Sequence, residues 1–182
     1  VLEDPTPNAY IFAKTVESAA KQMGAKSPSA YLLETEVSII QVAPKFDGMR
    51  LRELRDAESK RMESELSGTY TIKQTGVTAV LSKNGIAHGI NSALRQSPQR
   101  LTGVAREHMI AVDNAPALLE NAILGEAHPS TKDRSDYPTA RYYSVMMLEG
   151  NCYVVKFTAI RQPGKTTQMV ELDSVDRIHD IY

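Results

Sequence analysis

Apolar and polar positions repeat with two different periods along this chain, and the change of period divides it. Residues 9–24 (AYIFAKTVESAAKQMG) combine good helix formers with Gly24 as a stop, which predicts a helix. Residues 36–43 (EVSIIQVA) form a short β-branched run closed by Pro44, a strand signal. Residues 49–66 (MRLRELRDAESKRMESEL) put Leu51, Leu54, Met62 and Leu66 on one stripe of a helix that Gly68 ends. TYTIKQ (69–74) and VTAVLSK (77–83), joined by Thr75-Gly76, read as a hairpin with a two-residue turn. A short helix after Asn84-Gly85 carries His88, and 101–111 (LTGVAREHMIA) predicts another. Residues 113–124 (DNAPALLENAIL) predict a third, with Asp113 or Asn114 as cap, Pro116 in the first turn and Gly125 as stop. The stretch 126–138 (EAHPSTKDRSDYP) is polar and proline-bounded, and reads as a loop. Beyond it the period becomes two: strands are expected at 141–149, 152–161 and 166–175, joined at Gly150-Asn151 and at Pro163-Gly164.

Helices early and strands late make the fold class α+β, with helices and a β-hairpin packed on a C-terminal antiparallel sheet. With two prolines among the first eight residues, 1–35 reads as an arm and helix, and 36–182 as the domain proper. At 182 residues, 42% hydrophobic and 24% charged, the chain can bury a core without staples. The start Val1-Leu2-Glu3-Asp4 lacks Met and reads as a piece of a larger polypeptide or as a trimmed end.

The C-terminal hairpin carries the most usable chemistry. A two-residue turn at Gly150-Asn151 would pair Glu149 with Cys152 and put Arg141, Tyr143, Lys156 and Thr158 on one face. Tyr142, Ser144, Met146, Leu148, Tyr153, Val155, Phe157 and Ala159 share the other, more apolar face, which should pack on the helices. Two cations, a phenol and a hydroxyl on an open sheet surface can bind an anion such as a phosphate. The plainer alternative is an ordinary polar face with Lys156 paired to Glu171 on the next strand.

Net charge is −1, which excludes a strongly basic nucleic-acid binder, yet the charge is uneven. Residues 82–110 carry four basic and one acidic residue, and 128–165 six basic and three acidic, so each segment is +3. Of the four histidines, His88 lies between Gly85 and Gly89 and suits a general base or acid, with His108 either its partner or a half-buried helix residue. His128 and His179 read as loop and tail residues. No HExxH pair or GxSxG elbow occurs, and the single Cys152 excludes a disulfide framework. No cofactor or metal is expected, and no apolar run approaches the length needed to cross a membrane.

From about Glu36 onward, the order EVSIIQVA, charged helix, GTYTIKQTGVTAVLSKNGIAHGINSA, ALLENAILGEAH and YYSVMMLEGNCYVVKFTAI resembles the large polyvalent protein-associated domains of phages and mobile elements. These are allied with the barnase–EndoU–colicin–RelE-like nuclease fold. The resemblance implies an antiparallel sheet of about four strands and a metal-independent ribonuclease, a toxin or phage-associated effector. Its site would comprise His88, His108, Arg141, Tyr143, Lys156 and Thr158, and its product would be a 2′,3′-cyclic phosphate. It also implies RNA, tRNA included, as the partner, an acidic immunity or regulatory protein, and action in the cytoplasm of a bacterial host. The competing expectation is a non-catalytic protein- or nucleic-acid-binding module.

Overall fold

In the computed structural model, residues 38–95, 103–129, 138–161 and 164–178 are described. The expected arm and helix of 1–35, their boundary with the domain, and His179 lie outside them.

The charged helix forms where its stripe requires. A turn at Leu51–Glu53, a π-helical stretch at Leu54–Glu58 and an α-helix at Ser59–Leu66 run on without a break (together α1). Ser59 closes the π turn, its backbone N–H and its hydroxyl both donating to the Leu54 carbonyl. Leu54 and Met62 are buried. The charged face is more than a solvated surface. Arg61 donates to Glu58 at 2.8 Å, Glu65 at 2.9 Å and, across to a later helix, Asp113 at 2.9 Å. Helix α2 (Lys83–Leu94) starts where the Ser82 hydroxyl accepts the Gly85 N–H at 2.9 Å. Helix α3 spans Gly103–Asp113 and α4 spans Ala115–Glu120, with Pro116 in the first turn of α4.

Seven strands form one sheet: β1 (Ile39–Gln41), β2 (Gly68–Thr71), β3 (Thr78–Leu81), β4 (Ile123–Pro129), β5 (Pro138–Leu148), β6 (Asn151–Arg161) and β7 (Gln168–Ile178). The order is β1-β5-β6-β7-β3-β2, with β4 also on β5. Strands β4 to β7 are an antiparallel meander, but β1 joins β5 and β3 joins β7 in parallel. The sheet is therefore mixed and larger than the expected four strands. The third expected helix also ends early, at Glu120, and the expected loop 126–138 opens as β4. Gly125 does not stop a helix; it sits at a register shift between Leu124 and Glu126, where a glycine suits a bulge.

Both hairpins are displaced by two residues from their expected pairings. In the first, Thr71 stands opposite Thr78, and the chain turns through Lys73–Gly76 rather than at Thr75-Gly76 alone. In the second, Met147 stands opposite Cys152 and Leu148 opposite Asn151, so the turn is Glu149-Gly150. Both turn residues have positive φ, 50° and 80°, as a type I′ turn requires. The side chains show why this turn is used. Glu149 accepts from Arg106 on α3 at 3.2 Å, while Asn151 serves as a strand residue accepting from Arg177 of β7 at 2.6 Å.

Because side chains alternate with a period of two, a two-residue displacement leaves every one on its expected face. Tyr142, Ser144, Met146, Leu148, Tyr153, Val155, Phe157 and Ala159 are all buried. Most of them join Ile86, Ile90, Met109, Ile110 and Leu118 of the helices in one core. Helix α3 is pinned to this face by the Tyr153 hydroxyl, which donates to Glu107 at 2.8 Å.

Candidate functional site

On the opposite face, the register gathers four of the expected residues. Arg141 stands opposite Thr158 and Tyr143 opposite Lys156 on the β5–β6 ladder. Strand β7 extends the set: Thr158 stands opposite Glu171, Lys156 opposite Ser174 and Val154 opposite Asp176. A bulge between Lys156 and Phe157 inserts Asp173 into β7, and the Thr158 hydroxyl donates to the Asp173 carboxylate. Lys156 therefore faces Ser174 rather than the expected Glu171.

This face is not the open surface expected of it. Tyr143 is only 2% exposed, and Ile123, Val145 and Val154 beside it are buried too. Arg141, Lys156 and Thr158 are half-buried. The result is a polar strip bordered by apolar side chains, where water screening is reduced and charge–charge interactions strengthen.

Asp176 shows the electrostatic effect. Burial pushes its carboxyl above the ordinary carboxylate range, against a hydrogen bond from Ser174 and the charge of Lys156, which both act downward. Along the β4 edge, Glu126 stands opposite Arg141 and His128 opposite Thr139 in the backbone register.

The two leading histidines lie elsewhere. His88 is exposed on α2, on the side away from the buried Ile86 and Ile90. His108 is 3% exposed on α3, within the helical layer. They interact with each other, since His88 contributes to the electrostatics of His108. The sheet itself separates His108 from Arg141 and Lys156, because α3 packs on the Tyr153 face. The expected constellation thus divides at His108, which lies on the helical side, while Arg141, Tyr143, Lys156 and Thr158 share the opposite face; His88 is on α2, whose start at Gly85 lies close to the Glu171 side chain of β7.

Burial holds the His108 imidazole below its ordinary value, opposed by a hydrogen bond to the Gly89 backbone and aided by His88. Its Nε2 is buried without a partner. The unfolded chain therefore takes up a proton near pH ~6.5 that the folded chain resists. Stability is full above that value and falls as pH drops from there through the folded value. Urea unfolding at about pH 7.5 and about pH 5.5 should show that loss in the wild type, and a smaller one in His108→Leu. An identical acid loss in both would place the effect elsewhere.

Sequence reasoning overlooked Ser174, Asp173 and Asp176. The signal was present in the polar positions of QMVELDSVDRI, but the bulge breaks the count by two that would have placed them. Among the described residues, no group of three or more His, Cys, Asp or Glu is disposed to hold a metal ion. Among the same residues, no helix is long and apolar enough to cross a membrane.

A family model described as "Large polyvalent protein-associated domain 3" matches residues 49–167, about two thirds of the chain. Among the described residues, the match takes in helices α1 to α4, strands β2 to β6 and therefore Arg141, Tyr143, Lys156 and Thr158. Neither the search of curated proteins nor that of solved structures returned a match.

Proposed function

The chain belongs to the large polyvalent protein-associated domain 3 family, and on that premise we propose that it is a metal-independent ribonuclease module of a phage or mobile-element protein. RNA is its substrate, with tRNA among the candidates, and the cytoplasm of a bacterial host is its place of action. The observation that carries the reading is the register that gathers Arg141, Tyr143, Lys156 and Thr158 on the sheet face opposite Tyr153 and the described helix α3.

Their chemistry suits a phosphodiester. Arg141 offers a fork and Lys156 a point charge to the non-bridging oxygens, where negative charge builds as the 2′-oxygen attacks. Thr158 is held by Asp173 and Tyr143 is fixed by burial, so neither needs to be ordered when RNA binds. His108 takes no part in this reading, because α3 packs on the Tyr153 face of the sheet, opposite the cations. An acidic immunity or regulatory protein fits the same reading, since it would cover the basic residues.

The position of His108 on the other face of the sheet leaves room for a second reading, a non-catalytic module that holds RNA or a protein on this face. One experiment separates the two. Purified domain is incubated in EDTA with total tRNA and rRNA, and the new ends are analysed. The ribonuclease reading expects fragments ending in 2′,3′-cyclic phosphate and 5′-hydroxyl. Intact RNA at high protein concentration overturns it, and retention of RNA in a filter-binding assay would then support the second.

A further inference from the structure

We propose that Asp176 is the base of this site, taking the proton from the ribose 2′-hydroxyl while Lys156 beside it stabilises the phosphate. The inference rests on the ribonuclease reading and puts a base on the same face as the cations.

Position comes first. The β6–β7 register puts Asp176 opposite Val154 and Ser174 opposite Lys156, so Asp176 shares the face of Lys156. Only the bulge at Asp173 makes this possible. Before it, Met169 and Glu171 share the outer face. After it, Ser174 and Asp176 do, while Val175 turns into the core. An unbroken alternation from Glu171 would have pointed Val175 outward and buried Asp176.

Environment comes second. Asp176 is half-buried, with Ser174 two residues before it on the same face. Burial raises its basicity above that of an ordinary aspartate, while Ser174 and the charge of Lys156 act downward. A carboxylate of raised basicity suits proton abstraction from an alcohol. Among the described residues, the other charged or titratable groups in register with the strip are Glu126 and His128 on β4, Arg141 on β5, Lys156 on β6, and Glu171 and Asp173 on β7. Thr158 engages Asp173, and Glu171 stands in the row of Arg141, which leaves Asp176 as the carboxylate on the other side of Lys156.

The step balances without an outside reagent. The Asp176 carboxylate takes the 2′-hydroxyl proton, and the 2′-oxygen bonds to phosphorus. The bond from phosphorus to the 5′-oxygen breaks, and the departing oxygen takes a proton from water. A 2′,3′-cyclic phosphate and a 5′-hydroxyl result, and Asp176 returns its proton to solvent.

The test uses the full chain and a defined single-stranded RNA oligonucleotide in EDTA. Asp176→Asn keeps the shape and removes the basicity, and should lower kcat by about 10²–10⁴-fold with KM little changed. Asp176→Glu should recover part of the rate. Circular dichroism and thermal melts accompany each variant. Because burial disfavours the Asp176 carboxylate, Asp176→Asn should melt no lower than wild type. Wild-type cleavage that survives in Asp176→Asn overturns the assignment and leaves the ribonuclease reading standing. No cleavage by the wild type overturns the reading, and the assignment with it. Loss of RNA affinity in Asp176→Asn with kcat intact also overturns it, since a base acts on the chemical step.

Discussion

Lys156→Ala is expected to lower RNA cleavage by about 10²–10³-fold, the usual effect of removing one group that stabilises a developing oxyanion. The residue is half-buried between Tyr143 on β5 and Ser174 on β7, so its charge acts where water does not fully screen it. A second effect should accompany the first. Lys156 holds the Asp176 carboxyl down, so its loss lets that group rise further. The acid limb of the pH–rate profile should therefore move to higher pH in Lys156→Ala, with the remaining charges of Arg141, Glu171 and Asp173 unchanged. His108→Leu serves as the control and should cleave at the wild-type rate, since α3 packs on the other face of the sheet. Equal losses in His108→Leu and Lys156→Ala would return that histidine to the site.

Phe157→Ala should cost about 3–5 kcal/mol of folding stability. Phe157 is fully buried, with Tyr142 opposite it on β5 and Leu172 on β7. A domain of ordinary stability has only about 5–15 kcal/mol in total, so this one truncation removes much of the margin. The melting temperature should fall by about 6–20 °C, and the urea midpoint should fall with little change in slope. Phe157→Leu should lose much less, because it leaves a smaller void. A Phe157→Ala variant as stable as wild type would mean that the helical layer does not close on this face.

Much of the fold was legible from local pattern. The stripe of Leu51, Leu54 and Met62 located α1, and the alternation of 141–161 assigned both faces of the hairpin. The faces were right although both registers were off by two, because a displacement by a whole period changes partners and not sides. Pairing at a distance was not legible. Strand β1 contacts β5 more than a hundred residues later, and a parallel strand of three residues carries no local mark of its partner. Gly125 misled because a glycine after an apolar run suits a helix stop and a bulge equally. The candidate site was half legible. Alternation brought Arg141, Tyr143, Lys156 and Thr158 together, but the bulge at Asp173 reset the count and concealed Asp176. His108 was drawn in by its residue type, and residue type says nothing about which side of a sheet a helix occupies.

The two parallel pairings also set an order of events for the growing chain. Strand β3, formed early, has its sheet neighbour in β7, near the end of the described residues. Strand β1 likewise waits for β5. During synthesis, the helices and the first hairpin precede the strands that cover them, and sequence-distant pairing of this kind is slow. A ribosome-bound chain that has emitted Lys156 but not Asp176 carries the cation without the carboxylate. A nuclease assembled in this order would stay silent in its own translation complex, among ribosomal and transfer RNA, until its last strand is released.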